Sequence, residues 1–195
     1  MAHAGALPSR SQALDLLHEH TLQPGLRRHA YAVEAAMRAQ AARLQGDPDA
    51  WGLVGLLHDF DYERWPDPKD HPFRGAEILA GLGYPEWFRR AILSHADYSG
   101  VARTTDLERA LYASDELSGF LTACALVMPG KSLHEVKVAS VLRRLKDKAF
   151  ARGVHREDVV RGAQELGVEL EAHVAFTLEA LQAVAEDLGL GGPPR

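Results

Sequence analysis

Cysteine is nearly absent from this 195-residue chain, which contains only Cys124. A single thiol excludes an internal disulfide and a thiolate metal cluster. Long apolar runs are also missing, because the most hydrophobic stretch, 120–128, is closed by Pro129 and Gly130, whereas a membrane span needs about 20 such residues. The first residues have no apolar core after a basic start, so a secretory signal is not predicted. We therefore expect a cytoplasmic protein with no membrane partner.

Positive charge is not in excess. The chain has 22 Lys and Arg residues against 27 Asp and Glu residues, for a formal net charge of −5. A general nucleic-acid binder needs a surplus of basic residues for phosphate contacts, so that function is not expected. The length and the hydrophobic fraction of 46% fit one globular domain with at most a small appendage, and we predict a single domain over residues 1–195.

Strand patterns are also lacking, because no long stretch alternates between apolar and polar residues. Helix-start patterns are frequent instead: Asp47 precedes Pro48, and Thr105 with Glu108 forms a capping box. The predicted helices cover residues 11–21, 26–45, 48–60, 73–82, 85–95, 105–128, 139–152, 156–166 and 169–188. The sequence therefore predicts an all-α protein.

Histidine is the residue type that stands out, with ten copies. Six lie among polar neighbours, where a solvated position is expected: His3, His18, His20, His134, His155 and His173. The other four lie in or beside apolar helical segments: His29, His58, His71 and His95. Asp59 follows His58 directly, and Asp115 interrupts a later apolar helix. Polar groups on apolar helix faces are costly unless they are paired or bind a metal, so a metal site between helices is predicted.

The adjacent pair His58-Asp59 places a constraint on this site. Neighbouring residues within a helix point about 100° apart, so both can approach one ion only where the helix ends. The sequence places the pair at such an end, before a proline-rich loop. Imidazoles and carboxylates without thiolates suit one or two divalent ions from the set Mn²⁺, Fe²⁺, Co²⁺, Ni²⁺, Zn²⁺ and Mg²⁺.

The order of His29, His58-Asp59 and Asp115 resembles the HD superfamily of metal-dependent phosphohydrolases. The resemblance covers the chain from about residue 20 to 125 and implies an HD-domain helical bundle. The segment from about residue 131 to 190 adds C-terminal helices to this bundle. It also implies that these four residues bind one ion.

Two further segments resemble the two-metal members of this superfamily. His71 in HPFRGAEIL and His95 in AILSHAD match residues that bind a second ion there, with Asp59 as the bridging carboxylate. The layout is similar to that of the subgroup that hydrolyses diadenosine tetraphosphate.

The resemblance implies hydrolysis of a phosphate ester or anhydride of a nucleotide or similar small molecule by a metal-activated water. His58 and Asp59 are then catalytic. Asp61 is either a partner of a ligand, a general acid or a turn-forming residue. Four cations near the ligands are candidates for substrate binding, although each also fits a solvated surface charge: Arg74, Lys69, Arg64 and Arg103. Arg74 is the favoured one, because it follows His71 within one helical turn.

Two other functions remain open at this point. Some proteins that resemble this superfamily are di-iron oxygenases that use all six ligands, and an HD-like module can also bind a nucleotide without turnover. The C-terminal helices are expected to cover the core, and a homodimer contact there is a further prediction.

Overall fold

The computed structural model describes residues 7–193. Within that range the chain forms nine α-helices and two short 3₁₀ turns, without any strand, so the predicted all-α class is confirmed. The chain divides into two compact units, of which the first ends at Leu111 and the second begins at Tyr112. Between residues 7 and 193, no helix has both the length and the apolar character that crossing a membrane requires.

The first unit contains five complete helices. They are α1 (Arg10–His20), α2 (Pro24–Arg43), α3 (Pro48–Leu57), α4 (Phe73–Gly81) and α5 (Glu86–Ser94). A 3₁₀ turn, Asp97–Ser99, follows α5, and α6 (Asp106–Leu126) begins in this unit and continues into the second. The predicted cap of α3 is confirmed, because the Asp47 side chain accepts hydrogen bonds from the backbone N–H groups of Asp49 and Ala50.

Helices α2 and α3 pack closely on each other. The contact is close at Gly55, where an added Cβ atom would lie 2.8 Å from the carbonyl oxygen of Val33 and 2.9 Å from Cγ of Met37. Glycine is required here because α3 lies directly against the backbone of α2. This packing fixes the position of His29 on α2 relative to the end of α3.

The second unit contains the rest of α6 and three further helices. These are α7 (Val138–Leu145), α8 (Arg156–Glu165) and α9 (Leu170–Gln182), and a 3₁₀ turn, Leu133–Glu135, precedes α7. The start of α8 is held by Glu116, whose carboxylate accepts hydrogen bonds from the backbone N–H and the Nδ1–H of His155.

The prediction of one helix over residues 139–152 was wrong, because α7 ends at Leu145. The side chain of Asp147 accepts from the backbone N–H of Ala149, a local bond that competes with helix continuation. Arg156 then donates to the carbonyl oxygens of Asp147 and Phe150. These tertiary bonds satisfy the backbone groups that a longer helix would have used. Likewise, α9 ends at Gln182 rather than Leu188.

Two of the six histidines expected at the surface are buried instead. His20 is only 7% exposed and packs against the ring of Phe60. His173 is fully buried and its Nε2–H donates to the carbonyl oxygen of Ala113. Their polar sequence neighbours gave no indication of these partners, which come from distant parts of the chain. His3 lies outside the described residues.

Candidate metal centre

The His58-Asp59 pair lies where α3 ends, as predicted. Leu57 is the last helical residue and His58 is its C-cap, so the helix is three residues shorter than the predicted end at Phe60. The His58 ring is fully buried, whereas the Asp59 side chain remains 23% exposed. The turn after the helix therefore leaves the carboxylate partly accessible while the imidazole stays in the core.

The structure brings Asp59 together with His71 and His95. His71 lies in the turn before α4, and His95 is the C-cap of α5. Oδ1 of Asp59 is 3.1 Å from Nε2 of His71 and 3.2 Å from Nε2 of His95. One ligand atom from each residue lies within 4.8 Å of the others. Three elements that are distant in sequence thus present one oxygen and two nitrogens to a common point.

The Nδ1 nitrogens of three imidazoles, those of His58, His71 and His95, each donate to a hydrogen-bond acceptor. Nδ1–H of His58 donates to the Gly55 carbonyl at 2.8 Å, and Nδ1–H of His95 donates to the Ile92 carbonyl at 2.5 Å. Nδ1–H of His71 donates to a carboxylate oxygen of Asp61 at 2.9 Å. Bonds of this kind fix the ring and its tautomer in metal-binding histidines. In the neutral rings, Nε2 is therefore left with its lone pair.

This arrangement requires positive charge, either as a bound cation or as a proton on one of the rings. The lone pairs of two Nε2 atoms, those of His71 and His95, face the same oxygen of Asp59, and acceptors repel each other unless positive charge lies between them. An octahedral divalent ion with ligand distances of about 2.0–2.1 Å separates neighbouring ligand atoms by about 3 Å, close to the observed 3.1 and 3.2 Å. The residues present therefore fit a divalent metal.

The protonation of the site leads to the same conclusion. Burial alone lowers the pKa of His71, but Asp59 and Asp61 outweigh it and raise that pKa to about 10. Burial opposes ionisation of Asp59, yet the nearby His58, His71 and His95 hold its pKa well below the usual range. In the absence of a metal, a proton on His71 supplies the positive charge that the carboxylates demand.

The remaining predicted ligand of the first unit, His29, extends the cluster on one side. Its ring centroid is 5.2 Å from that of His58, which is in turn 5.3 Å from His95. The His95 and His71 centroids are also 5.3 Å apart. Four imidazoles thus form a continuous row across the first unit. Asp115 lies on α6 in the second unit.

Asp61 is fully buried and acts on His71 through a hydrogen bond. One oxygen of its carboxylate accepts from His71, and the other accepts from the backbone N–H of Gly75 at 2.8 Å. A Cβ atom at Gly75 would lie 2.9 Å from the Asp61 carboxyl carbon, so glycine is needed at the start of α4. These contacts fit the role of ligand partner among those considered for Asp61.

The four candidate substrate cations lie in different surroundings. Arg74 is half-exposed and pairs with Asp70 and Glu77. The other three are distributed as follows: Arg64 donates to the carbonyl of Glu19, Lys69 is exposed, and Arg103 donates to the carbonyl of Ser94 and to Asp97. Ser94 precedes the ligand His95, so Arg103 is anchored beside the cluster. The Arg103 side chain is only 10% exposed.

Tyr62 is a residue at this site that the sequence did not indicate. Its ring meets the ring of His71 edge to face, with centroids 5.2 Å apart and planes at 83°. Tyr62 is also 41% exposed. Its place directly after Asp61 was visible in the sequence, but an aromatic residue in a loop commonly packs beneath that loop instead of facing a binding site.

Comparison with known proteins finds one family that part of the chain matches. Residues 26–119 match the HD domain family, and this range includes all six predicted ligands. No curated protein and no solved structure matched the chain. The family match supports assignment of the chain to the HD superfamily, whose members are typically metal-dependent phosphohydrolases. The clusters of histidine and aspartate are compatible with divalent metal binding.

Proposed function

We propose that this protein is a metal-dependent phosphohydrolase that cleaves a phosphate ester or anhydride of a nucleotide or similar small molecule. The observation that carries the proposal is the approach of two oriented imidazoles to one oxygen of Asp59. Such a set of ligands, without thiolates, leaves coordination positions for water and substrate.

The ligands fall into two groups that share Asp59. His71, His95 and Asp59 form the group whose geometry is described above. The resemblance to the HD pattern assigns His29, His58, Asp59 and Asp115 to the second group, and all four lie within the matched residues. A divalent ion bound at such a site would lower the pKa of a coordinated water towards about 7 and would offset charge on a phosphoryl group.

The residues of the chain supply orientation and charge for this reaction. Asp61 holds His71 in the tautomer that a ligand needs, and the Gly55 carbonyl does the same for His58. Arg103 is the candidate cation that its contacts place beside His95, because it donates to the carbonyl of Ser94 and to Asp97. Arg74, the cation favoured by the sequence, pairs with two carboxylates but is half-exposed, so it is the second candidate.

The test is phosphate release by the purified chain loaded with Mn²⁺ or Co²⁺. The substrates are nucleoside mono-, di- and triphosphates, diadenosine tetraphosphate and a chromogenic phosphate ester. We expect turnover with at least one nucleotide, its loss in Asp59→Asn, and its retention in Asp70→Asn, which changes a partly exposed carboxylate that pairs with Arg74. A metal-replete wild-type protein that is inert towards the whole panel contradicts the proposal. Oxygen uptake by iron-loaded protein without phosphate release would favour the di-iron oxygenase instead.

A further inference from the structure

Tyr62 combines contact with the buried cluster and exposure to solvent. Its ring packs edge to face on the predicted ligand His71, and 41% of the residue is open to solvent. The residue is therefore in contact with the candidate centre on one side and accessible to a bound molecule on the other.

The position of this ring is fixed by the turn that carries the ligands. The backbone N–H of Tyr62 donates to the carbonyl of Asp59 at 3.0 Å, and the preceding residue, Asp61, is fully buried. Two other aromatic residues of the same segment have different environments. Phe60 is completely buried, and the ring of Trp65 lies 6.1 Å from that of His20.

We infer that Tyr62 forms the wall of the substrate site against which the base of a nucleotide packs. This inference rests on the proposed function and makes its substrate class more specific: it favours phosphate compounds that carry a nucleobase over those that carry only a sugar or another phosphate. An exposed aromatic ring offers a flat apolar surface that suits any base, so the contact selects for a base rather than for one base over another.

The expected size of the effect follows from the energy of stacking between a base and an aromatic side chain. Loss of such a contact corresponds to a rise of roughly 5- to 150-fold in KM. The effect should be confined to substrates that have a base, because Tyr62 is not itself a proposed ligand.

The test compares substrate pairs that differ in the base, using the full chain loaded with Mn²⁺. The pairs are AMP with ribose 5-phosphate, and ATP with inorganic triphosphate. Tyr62→Phe keeps the flat ring, whereas Tyr62→Leu keeps apolar contact with His71 but removes the ring. We expect KM for the nucleotide of each pair to rise in Tyr62→Leu and to stay near the wild-type value in Tyr62→Phe. KM for the base-free partner should be unchanged in both.

The matched control is Trp87→Leu, which removes an aromatic residue of nearly equal exposure, 42%, at the far end of α5 from His95. Kinetic parameters should be unchanged in this variant, and metal content should be unchanged in all three.

The outcomes separate this inference from the proposed function. If wild-type protein cleaves nucleotides and Tyr62→Leu affects both members of a pair equally, Tyr62 acts through His71 and the inference is wrong. If neither KM changes, or if the wild type prefers the base-free compounds, the inference is also wrong. A wild-type protein that cleaves none of the four compounds, nor any other substrate of the panel, contradicts the proposed function itself.

Discussion

At the scale of single residues, the candidate centre depends on which atom of each side chain is already engaged. The Nδ1–H groups of His58, His71 and His95 are held by two backbone carbonyls and the Asp61 carboxylate. Because these bonds hold each ring on its Nδ1 side, they fix the direction in which its Nε2 atom points. A ligand set of this kind is therefore organised before any metal binds, which reduces the cost of ordering the ligands when it does.

Asp61→Asn provides a test of this organisation. Both oxygens of Asp61 accept hydrogen bonds, from His71 and from Gly75, whereas asparagine offers one acceptor, so one buried N–H would face an amide NH₂. We expect metal affinity to fall about 10- to 100-fold, as measured by calorimetric titration with Mn²⁺. Asp70→Asn, at a partly exposed carboxylate, should bind Mn²⁺ like the wild type, and equal affinities in all three proteins would contradict the positioning role of Asp61.

The pKa of His71 leads to a prediction about pH. This pKa is raised to about 10, so the imidazole of the metal-free protein is protonated at pH 7, whereas a metal ligand must be neutral. We expect Mn²⁺ binding to release about one proton and the apparent affinity to rise about tenfold per pH unit below pH 10. Titration in two buffers of different ionisation enthalpy measures the proton directly. Identical heats in both buffers would show that no proton is exchanged.

The same shift makes the stability of the metal-free protein depend on pH. The folded-state pKa lies above the ordinary value of 6.5, so the protonated imidazole contributes stability that is complete below pH 6.5 and is lost as the pH rises through about 10. Urea unfolding of metal-free protein should therefore show decreasing stability over this range. His71→Ala should remove most of that dependence.

At the scale of elements, the centre depends on how closely α2 and α3 approach. His29 is carried by α2, and His58 follows the last residue of α3. Gly55 allows the two helices to come into contact, and any side chain at this position would separate them. The glycine therefore affects the distance between two predicted ligands although it takes no part in binding.

Gly55→Ala tests this contact. The added Cβ atom would lie within 3.0 Å of backbone atoms of α2, so we expect the free energy of unfolding to fall by about 1–3 kcal/mol. Gly25→Ala is the matched control on α2, because no atom lies within 4 Å of its Cβ position. That variant should be neutral or more stable by up to about 1 kcal/mol. Urea unfolding of both variants measures the difference, and equal stabilities would mean that the helices can separate at no cost.

At the scale of the whole molecule, metal binding should be visible as stability. The ligands come from segments that are distant in sequence, and an unfolded chain cannot hold them together, so an ion that binds only the folded form stabilises it. At a free concentration about 100 times the dissociation constant, the gain is about 2.7 kcal/mol. For a chain of this size, that corresponds to a rise of roughly 5–10 °C in the melting temperature.

Chelation provides the corresponding experiment. A chelator should lower the melting temperature of the purified protein, and added Mn²⁺ should restore it. Asp59→Asn should show neither response, because Asp59 is shared by both ligand groups. A melting temperature of the wild type that is the same with chelator and with Mn²⁺ would argue against a bound ion.

The sequence by itself determined the helical class, the cap at Asp47 and the position of His58-Asp59 at the end of a helix, because each depends on residues within one or two turns. It also identified His71 and His95 as partners of Asp59 through their resemblance to a known pattern. Only the tertiary structure decided the end of α7, the burial of His20 and His173, the partners of Asp61, and the contact of Tyr62 with His71. The physical reason is that these features depend on atoms far apart in the chain, whose contacts no local pattern of residue types specifies.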